Sequence, residues 1–216
     1  MIARTRGFGL VLVSILFLFA GCGKKKEVIQ PDAILIFHKT MGYRHSSIET
    51  GIKTLSEIIT AQGYDVQVTE DAQIFQEDTL SGFAAVIFLS TTGDILNGAQ
   101  QAVFERYIQR GGGFLGIHAA ADTEYKWPWY NGLVGGYFES HPNNPNVRKA
   151  RVIKTDQSHP ASSHYEDSFE RTDEWYNYRD VDPNIIPLLM LDEKSYEGGT
   201  MDGNHPITWY HEYDGG

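Results

Sequence analysis

Cysteine is nearly missing from this 216-residue chain; the one present is Cys22. A single thiol cannot close a disulfide within the chain. It lies near the amino terminus, so the rest of the sequence has no thiolate, and acyl transfer through a thiol is excluded on chemical grounds. Positive charge is scarce too, with 18 Lys and Arg against 28 Asp and Glu and a formal net charge of -10. An acidic body repels phosphate backbones, which argues against nucleic acid as a partner. The apolar run from Phe8 to Ala20 has about 13 residues, where a membrane span needs about 20. Phosphate loops are missing as well. Gly42 and the triplet Gly111 to Gly113 fit neither GxGxxG nor GxxxxGK[ST], so turn chemistry accounts for them.

Arg4 and Arg6 precede the apolar run, which stops at Gly21-Cys22. A basic start, an apolar middle and a small-residue end describe an export signal. The tetrapeptide Phe19-Ala20-Gly21-Cys22 resembles a bacterial lipobox, with Phe where Leu is commoner. Residues 1–21 are therefore read as a lipoprotein signal peptide, Cys22 as the lipidated residue and residues 22–31, with Lys24 to Lys26, as a tether. The expected address is the cell envelope, with the membrane reached through a lipid anchor on its periplasmic or outer-membrane face. One domain, residues 32–216, remains to fold.

Apolar residues at 41% and aromatics at 12% suffice for a sizeable core. Ala33 to Phe37 (AILIF), Ala84 to Leu89 (AAVIFL) and the stretch GFLGI within Gly111 to Thr123 read as strands buried on both faces. Between them, Ile48, Ile52, Leu55, Ile58 and Ile59 recur at helical spacing, with Ser46 or Ser47 placed to cap. Asn97 to Arg110 repeats the pattern with Val103, Phe104, Tyr107 and Ile108 inward, and Tyr64 to Thr69 alternates like a strand near an edge. This alternation predicts an open, doubly wound α/β fold with a mainly parallel sheet. Trp127 to Phe138 suggests a short helix and a glycine turn, and Gln157 to Tyr178 a long polar and aromatic loop. Val147 to Lys154, Ile186 to Leu191 and Pro206 to His211 add strands, and Asp214-Gly215-Gly216 looks like a truncated end.

In such folds ligands sit outside the carboxyl ends of the strands. His45 and His118 follow predicted strands and His211 ends the last one, and Asp122, His141 and Glu174 lie on loops nearby. His118, Glu174 and Asp122 are the candidate acid/base groups, and His118, Asp122, His141 and His211 the candidate ligands of a divalent metal. No spacing matches a self-sufficient zinc motif, so a metal-free polar pocket stays open, as does a histidine that merely caps a core strand. Trp129, Trp175 and Tyr176 belong to a cluster of rings beside carboxylates. Such rings either stack on a sugar or fill an irregular core.

Five stretches occur here in one order: GYRHSSIE, GGGFLGIHAAADT, His159-Pro160, DEWY (Asp173 to Tyr176) and PITWYHEYDGG. Together they resemble the ThuA-like, or trehalose utilisation, family, whose fold is similar to class I glutamine amidotransferases. The resemblance implies a small-molecule sugar partner and a place in the catabolism of trehalose-type disaccharides or keto-sugars. It favours His45, Trp129, His141, Trp175, Tyr176 and His211 as sugar-binding residues around His118. Two departures stand out. The amidotransferase nucleophile, a cysteine at the strand-to-helix elbow, is replaced by the run Gly116-Ile117-His118-Ala119-Ala120. Family members also continue past the WYHEYDGG-like strand with a further strand and helix. Three readings remain: a sugar-processing enzyme such as a hydrolase or isomerase, a non-catalytic sugar-binding lipoprotein, and a protein-interaction module.

Overall fold

The computed structural model describes residues 32–156 and 158–216. The expected signal peptide and tether, with Cys22, lie outside the described residues. None of the described helices is long and apolar enough to cross a membrane.

The amino-terminal half alternates strand and helix: β1 (Ala33–Phe37), α1 (Ile48–Ala61), β2 (Asp65–Thr69), α2 (Glu77–Leu80), β3 (Phe83–Leu89), α3 (Gly98–Gln109) and β4 (Gly113–Ile117). The four strands pair in parallel in the order β2-β1-β3-β4. Side chains of a strand alternate between faces, so β1 and β3 feed two cores at once. Ile36, Ile87 and Leu89 pack with Ile52, Leu55 and Ile59 of α1 on one face. Leu35, Phe37, Val86 and Phe88 pack with Phe104, Tyr107 and Ile108 of α3 on the other. That is the doubly wound arrangement, with apolar runs buried on both sides because helices cover both.

Three sequence expectations need correction. GFLGI is not doubly buried: β4 is the last strand of its sheet, and Leu115 is 47% exposed. An apolar run of five residues cannot by itself tell a covered strand from an edge. Ser47 sits at the amino end of α1, but its side chain makes no capping hydrogen bond. The stretch 157–178 is not a long loop, since it carries β7 (Ser168–Glu174) and begins β8 (Asn177–Arg179).

The carboxyl half is built differently. Gly135 is left-handed (φ 87°) and ends α4 (Pro128–Val134), where Pro128 opens the first turn. β5 (Tyr137–Ser140) pairs with β8 as a two-stranded ribbon. β6 (Val147–Lys154), β7, β9 (Ile186–Asp192) and β10 (Pro206–Tyr210) make a second, antiparallel sheet in the order β10-β9-β6-β7. β6 alternates exposed with buried residues, and Ala150 and Val152 face a small core with Trp175, Leu189 and Leu191. The expected strands are present, but they found a sheet of their own instead of extending the parallel one.

Candidate functional site

The loops after β1, β3 and β4 are laced together at the carboxyl rim of the parallel sheet. Thr40 and Gly93 form isolated parallel bridges with Thr92 and Thr123. The Met41 N–H donates to the Thr92 carbonyl (2.8 Å), and the Thr92 hydroxyl donates to the Tyr43 carbonyl (3.0 Å). Thr91 and Thr123, both fully buried, share a hydroxyl contact of 2.9 Å. These bonds satisfy backbone groups that a buried loop would otherwise orphan. They also fix where His45 stands relative to His118. Gly51 assists: a Cβ there would meet Leu89 at 3.0 Å, so its absence lets α1 close on the end of β3.

His118 follows β4 with a left-handed backbone, φ 53°, at the head of the turn His118–Asp122. A non-glycine residue in this region is strained, and such residues gather at functional sites. The antiparallel sheet brings up the other half of the site, since β7 ends at Glu174 and the chain runs through Trp175 and Tyr176 into β8.

Glu174 is the hub. Its Oε2 lies 3.1 Å from His118 Nε2 and 3.6 Å from His45 Nε2, and its Oε1 lies 3.6 Å from His141 Nε2. The Asn146 amide donates to the same Oε1. The Glu174 side chain is only 14% exposed, so the carboxylate is surrounded by imidazoles and not by water. The His45 and His118 rings meet edge to face at 4.6 Å, and Tyr176 lies 4.4 Å from His118. The Tyr176 hydroxyl is 3.3 Å from His45 Nε2. Burial pushes the His118 pKa below its ordinary value, His45 adds to this, and Glu174 and Asp173 only partly oppose it. His118 is therefore held in its neutral form near pH 7. The Tyr176 phenol is pushed well above its usual range by burial first, then by Glu174 and Asp122, so it stays protonated. Among the described residues, the donor atoms of His45, His118 and Glu174 lie within 4.8 Å of one another, close enough to share a metal ion.

A cleft of about 790 Å³ opens from this cluster, between α1 and the antiparallel sheet. Ser47, Thr50, Thr54 and Thr172 line it with hydroxyls, and Tyr165 and Phe169 with rings that stack on each other at 5.0 Å.

Other candidates fall elsewhere. His211 donates to the Leu133 carbonyl (3.0 Å) and shares with His118 a second depression of about 580 Å³ beside β4, whose lining leaves out Glu174 and His45. Trp129 stacks on Trp127 at 5.0 Å, donates to Asp214 and packs against the larger core, so it is no part of the cleft. Trp175 is buried in the smaller core with its indole N–H on the Arg148 carbonyl, and it backs the cleft wall. Asp122 accepts from the Tyr125 hydroxyl (2.7 Å) and is not among the groups that touch Glu174.

Two residues went unnoticed in the sequence. Asn146 holds Glu174, and its only signal is the polar turn before β6. His205 is fully buried, with Nδ1 at 2.9 Å from Glu193 and Nε2 at 2.8 Å from the Tyr176 carbonyl. It fixes the backbone that carries Tyr176. No pattern marks it beyond a histidine just before a strand.

The fold is similar to that of a ThuA-like protein from Bacteroides uniformis, at 24% identity and a TM-score of 0.70, covering 83% of this chain and 77% of that one. It is also similar to a ThuA-like protein from Parabacteroides merdae, at 20% identity and a TM-score of 0.66, with 86% and 76% covered. The N-terminal domain of mmIFT52 shares the fold more loosely, at 16% identity and a TM-score of 0.55, with 84% and 81% covered. At these identities the likeness is one of fold. No curated protein matches the sequence. The family model ThuA, described as trehalose utilisation, matches residues 33–216, the whole of the described domain but its first residue, and on that match the chain belongs to the ThuA family.

Proposed function

We propose that this chain processes a disaccharide-class sugar in the cleft beside Glu174, in keeping with its family's description as trehalose utilisation. The observation that carries the reading is the Glu174 carboxylate ringed by three imidazoles at the end of a cleft lined with hydroxyls and rings. Ring faces stack on sugar C–H groups, while hydroxyls and amides take the sugar's own hydroxyls. His118, Glu174 and Asp122 supply the acid/base groups, with His45, His141, Trp175 and Tyr176 placing the sugar. A ring ketone acidifies the neighbouring C–H, so an oxidised disaccharide needs little more than a positioned base and acid to isomerise or to lose its partner sugar.

We place the protein at the cell envelope, held by a lipid on Cys22, on the strength of the basic, apolar and small-residue order of residues 1–22. Cys22→Ser should leave the precursor unprocessed, and unchanged processing and membrane partition would remove that part of the reading.

The test of function is turnover of trehalose and its keto derivatives by the full chain, followed by NMR. His118→Ala and Glu174→Gln should each lower the rate by at least about 100-fold, the scale of general acid/base catalysis. Saturable sugar binding with no turnover would make the protein a sugar-binding lipoprotein. No binding at all would end the sugar reading.

A further inference from the structure

We infer that His45, His118 and Glu174 form a binding site for one divalent cation, and that Zn2+ is the ion their chemistry fits. The inference rests on the same cluster as the proposed sugar chemistry, but it does not require sugar as the ligand.

Spacing is the first observation. His118 Nε2 and His45 Nε2 lie 3.1 and 3.6 Å from one carboxylate oxygen of Glu174, and His141 Nε2 lies 3.6 Å from the other. Ligands about 2.0–2.1 Å from a tetrahedral ion stand roughly 3.4 Å apart. The contacts of Glu174 with His118 and His45 are close to that edge length, and the donor atoms of all three lie within 4.8 Å of one another, while His141 stands outside that group.

The second observation is hydrogen-bond accounting at His141. Its Nδ1 faces the Pro142 carbonyl at 2.8 Å. A carbonyl only accepts, so Nδ1 carries the hydrogen, and in the neutral ring Nε2 is a bare lone pair. That lone pair lies 3.6 Å from Glu174 Oε1. The contact is repulsive unless positive charge lies between the two. The Asn146 amide on Glu174 Oε1 is an outer contact that orients the carboxylate.

Composition selects the ion. Two imidazoles and one carboxylate match the three-ligand zinc sites that keep a fourth position open, whereas Mg2+ and Ca2+ want oxygen ligands. With His118 and Glu174 on the cation, neither is free as the acid/base pair of the proposed sugar chemistry, so zinc uptake and turnover are read separately. The rival is a proton on His141, which would satisfy the same contact with no metal.

The experiment uses the untagged full chain, stripped with chelator, dialysed and titrated with Zn2+ alone by calorimetry, with bound metal counted by mass spectrometry. About one equivalent is expected. His118→Asn and Glu174→Gln should weaken binding by more than the roughly 10–100-fold that loss of an outer contact costs. Asn tolerates the left-handed backbone at position 118, and circular dichroism checks that both variants fold. His164→Ala, at an exposed histidine outside the cluster, should bind as the parent does. Failure of the parent to take up zinc, or equal affinity in folded Glu174→Gln, overturns the site. Uptake is read without sugar. Its failure therefore leaves the sugar reading standing, and intact uptake with no turnover does the reverse.

Discussion

At His118 the backbone has φ 53°, and the imidazole it carries reaches Glu174 across the gap between two sheets. For an L-residue this conformation costs about 1–2 kcal/mol relative to glycine, because Cβ crowds the following carbonyl. The strain is held by the lacing of the neighbouring loops, in which the Ser90 N–H donates to the Ile117 carbonyl and the Gly93 N–H to the Asp122 carbonyl. A structural role and a functional one can be separated here. His118→Gly should be about 1 kcal/mol more stable to urea than His118→Ala, since both lose the ring and only one loses the strain. Neither should turn over sugar. Equal stability of the two variants would show that the elbow stores no strain.

Among the elements, α3 is the one whose start is most firmly written. The Asn97 side chain accepts from the backbone N–H groups of Ala99 and Gln100, and the Gln100 side chain accepts from the Asn97 N–H, a complete capping box. The Gln100 amide also donates to the Ala72 carbonyl (2.7 Å), tying the helix to the segment before α2. Asn97→Ala should therefore cost about 1 kcal/mol, the usual worth of an N-cap, measured by thermal unfolding. A loss under about 0.3 kcal/mol would mean that packing of Phe104 and Ile108 alone holds the helix start. By contrast, the start of α1 has no side-chain cap, and the helix is placed by Ile52, Leu55 and Ile59 against the sheet.

For the whole molecule, Glu124 links the parts and makes stability depend on pH. It is 2% exposed, accepts from the N–H groups of Ile95 and Leu96 and from the Gln101 amide, and its own carbonyl accepts from the Tyr137 hydroxyl. Burial raises its pKa above the ordinary 4.5, and the hydrogen bonds only partly offset this. Between 4.5 and the raised folded value, the native protein keeps a proton that the unfolded chain releases. The stabilisation from this group is therefore complete below pH 4.5 and is lost as pH rises through the folded value. Glu124→Gln keeps an acceptor for both backbone N–H groups and removes the titration. The melting temperature of the variant relative to the parent should rise between pH 4 and pH 7. A gap independent of pH, or one that shrinks, would contradict the assigned direction.

Much was legible in the chain alone, because local chemistry decided it. Doubly apolar runs marked β1 and β3, 3.6-residue spacing marked α1 and α3, and glycines marked the turns, since each depends on neighbours within a few residues. The place of His118 at a strand end was legible for the same reason. Tertiary structure decided what depends on long-range pairing. β4 lies at an edge, because coverage of a strand is a property of its neighbours and not of its own residues. Glu174 meets His45 and His118 because β6 and β9 pair antiparallel and carry β7 across to the parallel sheet's rim. His211 and Trp129, which carry the same chemistry, were taken instead by the Leu133 carbonyl and the larger core. Residue type set which side chains were able to form the site. The docking of one sheet on the other chose among them, because a hydrogen bond needs approach to about 3 Å and sequence spacing does not encode that distance between strands more than 50 residues apart.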